Sequence, residues 1–416
     1  MTEPSAVLLL AGFDVWPGPS VWARRMTESV RASANRYRVL TLSLRGPALA
    51  HTESLLGARV LRVPPGTGSL LEQVEAFGRA VHRQLDSDVH ALVHTADPLV
   101  GAAVLLHPRR PALLYEARRL PSAELPFLLG RGREAAVLDQ AIRRADRLCL
   151  ARADAVLVTT GSRANEVRAE GRTGTVQLVP DGIDPGPVLP RVPGALRIRH
   201  VGWDLSSAGL RVLLEAVATL GPGARLHLVQ PRGKPWEASL QREVSAAARS
   251  GAVTSGPPGA LPGTWADVEV LSGVGPDARA PAVLGEALEA YARGHPVLAP
   301  DSEAARGELP SGCTVFFPGA DGDALGRALI ALARSPDLRA ESGAEARAYV
   351  ERRHDATRVR GLLRDLYRAH GAIRSSWQVS SGPWRPSLPS GWSGSRPRGW
   401  RPLEGTDPGT PTGGFG

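Results

Sequence analysis

Apolar positions along the chain fall into two alternating patterns. Short continuous runs read as buried strands: "AVLLLAG" (6–12), "YRVLTLSL" (37–44), "ARVLRVP" (58–64), "VHALVHT" (89–95), "PALLYEA" (111–117) and "ADAVLVTT" (153–160). Between them, residues 20–33, 70–85 and 134–153 repeat their apolar positions with helical spacing, and Ser20 is placed to cap the first of these stretches. Strands alternating with helices predict a parallel α/β sheet covered on both faces.

The alternation breaks at "VQLVPDGIDPGPVLPRVPGA" (176–195), where Pro and Gly cluster after Val179 as in an interdomain linker. A second alternating series follows. Strands are predicted at 196–202, 225–230, 267–271, 296–301 and 313–318, and helices at 208–220, 236–249, 282–293 and 321–334. Two helices rich in Arg, Glu and Leu (336–353 and 356–370) close it. From Gly371 the chain turns to Pro, Gly and Ser with Trp377, Trp384, Trp392 and Trp400, too little aliphatic content for a core, and disorder is expected. The predicted division is a first Rossmann-like domain over 1–180, a hinge over 181–195, a second over 196–355, a helix over 356–370 and a tail over 371–416. Two doubly wound domains of this kind bind ligands beyond the carboxyl ends of their strands, in the cleft between them.

Composition narrows the function classes. A chain of 416 residues with 43% hydrophobic and 22% charged residues is ordinary for a globular protein. "AVLLLAG" is too short to span a bilayer, has no basic flank and runs into Asp14, so it reads as a strand rather than a signal peptide. Cys149 and Cys313 stand far apart, which suits a reducing cytoplasm, and no His/Cys group has metal-ligand spacing. The net charge is +9, but Lys234 is the single lysine, so the arginine excess reads as a compositional skew and not as a nucleic-acid footprint. A phosphate-bearing ligand or a membrane surface remains open as a partner. The absence of G-x-G-x-x-G after the first strand argues against a dinucleotide oxidoreductase.

"ADAVLVTTGSRANEVRAEG" followed by "VQLVPDGID", and "LEAYARGHPVLAPD" (288–301), resemble motifs of family 4 glycosyltransferases. Asp154, Ser162, Gly171, Pro180, Gly182 and Asp184 match that family's pattern, with Asp181 in place of its asparagine. "GFDVWPGPSVWARRM" and "LLYEARRLPS" are similar to loops of a bacterial branch, and the likeness spans about residues 6 to 370. The resemblance implies a GT-B fold, α/β, with two Rossmann-like domains around a cleft. It also implies transfer from a nucleotide-sugar donor to a hydroxyl acceptor, retaining and metal-independent, with no cofactor beyond that co-substrate. A saccharide or lipid-linked acceptor, surface polysaccharide or glycolipid synthesis and peripheral contact with the inner membrane face go with it.

The resemblance also assigns residues. Glu289 matches the glutamate that holds the nucleotide ribose, and the N–H groups of Val283, Leu284 and Gly285 open the same helix toward the donor diphosphate. Gly202 and Trp203 follow the first strand of the second domain, on the donor side. Gly18, Pro19 and Ser20 form the loop that meets donor phosphate and acceptor. His94, Glu116 and Arg118, at strand ends of the first domain, are the candidates for acceptor chemistry; equally, His94 reads as structural and Glu116 and Arg118 as a pair. Two departures stand out. Pro281 occupies the place of a first glutamate eight residues before Glu289, and Trp203 and Ala208 occupy places where the family often carries Arg and Lys. They sustain a rival reading, a GT-B protein that binds a nucleotide sugar or a protein without turnover.

Overall fold

A computed structural model of the chain describes residues 6–11, 21–33, 39–44, 50–64, 68–118, 133–172, 174–186, 194–201, 205–229, 236–257, 265–271, 273–274 and 284–373. Two sheets organise them. In the first part of the chain the elements are β1 (Ala6–Ala11), α1 (Val21–Ser33), β2 (Val39–Leu44), β3 (Thr52–Leu55), β4 (Ala58–Val63), α2 (Leu70–Ser87), β5 (His90–Thr95), α3 (Pro98–Leu106), β6 (Ala112–Glu116), α4 (Arg133–Arg152), β7 (Ala155–Val158), α5 (Gly161–Ala169) and β8 (Val176–Leu178). The sheet order is β3-β4-β2-β1-β5-β6-β7-β8, parallel except for the β3–β4 pair.

The second part holds β9 (Leu196–Val201), α6 (Ser207–Ala218), β10 (Ala224–Val229), α7 (Ala238–Ala248), β11 (Val253–Gly256), β12 (Val268–Leu271), α8 (Leu284–Ala292), β13 (Val297–Pro300), α9 (Glu303–Glu308), β14 (Thr314–Phe317), α10 (Gly322–Arg334), α11 (Pro336–Arg353) and α12 (Ala356–Ile373). Its sheet, β11-β10-β9-β12-β13-β14, is parallel throughout. Parallel strands buried on both faces need continuous apolar runs, which is why "LLLA" and "ALLY" carry so little alternation.

Each sheet is buried against helices. Leu8, Leu10 and Val93 pack with Val104 and Leu150 on one face of the first sheet, and Val7, Leu9 and Leu92 pack on the other. That second cluster takes in Val359, Leu363 and Tyr367 of α12, so the last described helix returns to the first sheet. In the second sheet, Ile198, Leu226 and Val270 face α6, α7 and α10, while Leu271, Val297 and Ala299 face α8 and α11.

The chain crosses between the two halves twice, and the crossings are tied together. Ile183 N–H donates to His354 O at 2.8 Å and Ala356 N–H to Ile183 O at 3.2 Å. A Cβ on Gly182 would sit 3.1 Å from the Ala356 Cα, so the lack of a side chain there eases the close approach of the two crossings.

Candidate functional site

The carboxyl edges of the two sheets come into contact. Helix α5 begins just after β7 and α9 just after β13, so the start of each marks the C-terminal edge of its sheet. A Cβ on Gly307 of α9 would lie 2.9 Å from the Ser162 hydroxyl oxygen of α5. Ligands of open α/β sheets bind outside these edges, which makes this region the candidate site.

On the first-sheet side, His94, Glu116 and Arg118 are brought together, at the ends of β5 and β6. They form a buried network that also takes in Arg25 of α1, Asp181 of the crossing and Tyr367 of α12. Arg25 Nε donates to Glu116 Oε1 at 2.5 Å, and its other nitrogens donate to Pro180 O at 3.0 Å and Val179 O at 3.2 Å. Arg118 lies 3.6 Å from the second Glu116 oxygen and donates to Asp181 Oδ1. His94 Nε2 sits 3.1 Å from Glu116 Oε1, and because a carboxylate only accepts, that nitrogen carries the proton. The other ring nitrogen, Nδ1, lies 2.8 Å from the Tyr367 hydroxyl.

Two guanidinium groups thus face two carboxylates away from water. Burial would raise the Glu116 carboxyl, but Arg25, His94 and Arg118 outweigh it and hold the group below the usual carboxylate range. Burial acts the same way on Asp181, and Arg118 again reverses it. His354, between α11 and α12, anchors the crossing by donating from Nδ1 to Asp181 O at 2.9 Å and meeting the Tyr349 hydroxyl through Nε2 at 3.2 Å.

On the second-sheet side, Glu289 lies in the second turn of α8, its side chain 37% exposed, and pairs with Arg293 one turn later at 3.1 Å. Arg293 and Arg199 also approach the buried Glu269, at 3.6 and 2.6 Å, and His295 Nδ1 lies 3.2 Å from the same oxygen. Burial alone would raise the Glu269 carboxyl; Arg199 and His295 bring it down to about 2. At the start of α8, the Leu284 N–H donates to Glu308 Oε2 of α9 at 3.4 Å, so a carboxylate already meets the helix end that the sequence offers to phosphate. Gly285 follows in the same turn. Gly18, Pro19, Ser20, Gly202, Trp203, Val283, Pro281 and the tail lie outside the described residues.

Several of these partners are not marked by any motif. Arg25 reads only as one position of a helix, and Tyr367 only as part of an apolar stripe. The signal that was available lies in strand phase: Arg199 in "LRIRHV" and Glu269 in "VEVL" interrupt apolar strands, and the sheet sets them side by side. Among the described residues no group of three or more His, Cys, Asp or Glu is arranged to hold a metal ion, and no helix is long and apolar enough to cross a membrane.

Two parallel Rossmann-like sheets in contact at their carboxyl edges, with the last helix returned to the first, define the GT-B architecture. Solved structures share it. Sucrose-phosphate synthase from Thermosynechococcus elongatus superposes with a TM-score of 0.71 at 19% identity, covering 88% of this chain and 100% of that one. HepE from Anabaena, solved with UDP and glucose, gives 0.65 at 14% identity over 87% of this chain and 99% of its own. WaaG, a glycosyltransferase involved in lipopolysaccharide biosynthesis, gives 0.63 at 15% identity over 86% and 99%. No family model matches the chain. No curated protein matches it in sequence.

Proposed function

We propose that the protein is a glycosyltransferase that moves a sugar from a nucleotide-sugar donor to a hydroxyl acceptor, with retention of configuration and without a metal. The observation that carries this reading is the contact of Ser162 and Gly307, which sets two carboxyl edges against each other in a fold shared with the UDP- and glucose-bound HepE structure. Glu289 accepts hydrogen bonds from the ribose hydroxyls, with Arg293 orienting its carboxylate. The diphosphate lies toward the start of α8, at Val283, Leu284 and Gly285, with Gly202 and Trp203 beside it, and displaces Glu308 from the Leu284 N–H. A donor phosphate oxygen takes the proton of the attacking hydroxyl, so no pair of catalytic carboxylates is needed.

On the acceptor side, Gly18, Pro19 and Ser20 border the donor phosphate. His94, Glu116 and Arg118 act as positioning residues: their polar atoms are engaged with one another, and they fix the strand ends and the crossing against which the acceptor binds. The acceptor is a saccharide or lipid-linked hydroxyl, in surface polysaccharide or glycolipid synthesis in the bacterial cytoplasm, with peripheral contact at the inner membrane face.

A second reading, a GT-B scaffold that binds a nucleotide sugar without turnover, is favoured by one specific feature. Pro281 removes a carboxylate before α8, and Glu308 adds one against its first N–H, which opposes a diphosphate there. Thermal stabilisation by a panel of nucleotide sugars, followed by donor consumption with saccharide acceptors, separates the two. Stabilisation with product supports the transferase, stabilisation without product the scaffold, and neither result removes both.

A further inference from the structure

Outside the two charge networks, one histidine among the described residues is buried with no hydrogen-bond partner. His200 is 1% exposed and neither ring nitrogen makes a hydrogen bond. Buried polar groups are paired in the great majority of cases, so an orphaned imidazole calls for a reason.

Its place in the fold supplies one. The second sheet begins at β9 and grows in both directions, β10 to one side and β12 to the other, so β9 forms the topological switch point. A crevice for ligand opens at the carboxyl edge of such a point. His200 is the last residue but one of β9, in register with Leu228 of β10 and Val270 of β12. Both neighbours belong to the core that α6 and α7 cover. The start of α6 is drawn tightly onto Val274, just beyond the end of β12, since a Cβ on Gly209 would fall 2.4 Å from Val274 O. Trp236, just before α7 and part of the same core, also buries its indole N–H without a partner. Two hydrogen-bond donors are therefore left unmatched among the elements that frame one sheet edge.

We propose that His200 is a donor-binding residue whose imidazole N–H donates to a phosphate oxygen of the nucleoside diphosphate. This rests on the glycosyl-transfer reading above. Burial pushes the His200 pKa down to about 4, with no charged neighbour contributing, so the ring enters the site as a neutral donor and not as a cation. A neutral N–H at the switch point answers a need that the family resemblance raises, because in sequence Trp203 and Ala208 fall at positions where that family often carries Arg and Lys.

The test compares the full chain with His200→Leu and His200→Gln, by thermal shift and calorimetric titration with UDP, ADP and GDP. An orphaned polar group costs stability, so His200→Leu is expected to melt at or above the wild-type temperature without nucleotide. Its affinity for the nucleotide that binds wild type is expected to fall about 10- to 100-fold, the range for a lost hydrogen bond to a charged group. His200→Gln, which keeps an N–H donor, is expected to stay closer to wild type. Unchanged affinity in His200→Leu overturns this inference and leaves the donor reading standing; absence of binding by wild type overturns both. Should His200→Leu fail to fold, the imidazole nitrogen resonances of the unmodified protein decide: a His200 signal that does not move at saturating nucleotide overturns the proposal.

Discussion

The guanidinium of Arg118, at the end of β6, closes on the carboxylate of Asp181, in the first crossing between the two halves of the molecule. Through Glu116 the same pair connects to Arg25, and through the Asp181 carbonyl to His354. The crossing is therefore held from both sides at Asp181.

Breaking that pair from one side leaves a buried charge poorly matched. Asp181→Asn is expected to cost roughly 2–4 kcal/mol of stability, measured from the urea midpoint. Replacing Arg118 and Asp181 together by Met and Leu is expected to cost less than the sum of the single changes, and the double-mutant cycle reads the coupling.

Acid sensitivity is expected to begin with histidine and not with the carboxylates. Burial depresses the folded pKa of His200 from 6.5 to about 4 and also lowers that of His354. The unfolded chain takes these protons first, so stability is full above about 6.5 and falls as pH drops toward 4. Glu269, at about 2 when folded, adds a second loss below the ordinary glutamate range, near pH 4.3. Urea midpoints between pH 8 and pH 3 should show both steps, and His200→Leu should shrink the first.

Glu289 separates binding from folding. Its ion pair with Arg293 is partly exposed, at 30% and 37% for the two side chains, and contributes less than about 1 kcal/mol. Glu289→Ala should leave the melting temperature within a few degrees of wild type while weakening nucleotide affinity about tenfold or more, the effect of losing charged hydrogen bonds to ribose. Equal affinity in the variant would remove Glu289 from the site.

A side chain at Gly307 would crowd Ser162 across the contact between α5 and α9. Gly307→Val is expected to cost roughly 1–3 kcal/mol by overpacking against Ser162, and adding Ser162→Ala should recover part of it. Melting temperatures of the two variants check this.

Neither cysteine should react readily in the folded protein. Burial pushes the Cys149 thiol well up and the Cys313 thiol to about 11. Colour development with an aromatic disulfide at pH 8 should be slow, and rapid once the chain is unfolded in denaturant.

The sequence alone determined the two alternating series, because parallel strands buried on both faces must be apolar throughout and their covering helices must be amphipathic. The strands at 6–11, 90–95 and 297–300 and the helices at 70–87, 322–334 and 336–353 follow from that requirement within a few residues. Elements with weaker periodicity escaped it. The antiparallel β3 is short and polar, α3 is apolar on every side, and α9 has only six residues. Tertiary structure decided which charges meet. Arg25, Glu116, Asp181 and Tyr367 are far apart in the chain, and nothing in local spacing pairs them. Burial then gives each ionised group a strong stake in its partner, since away from water a charge must be matched by whatever the fold brings beside it.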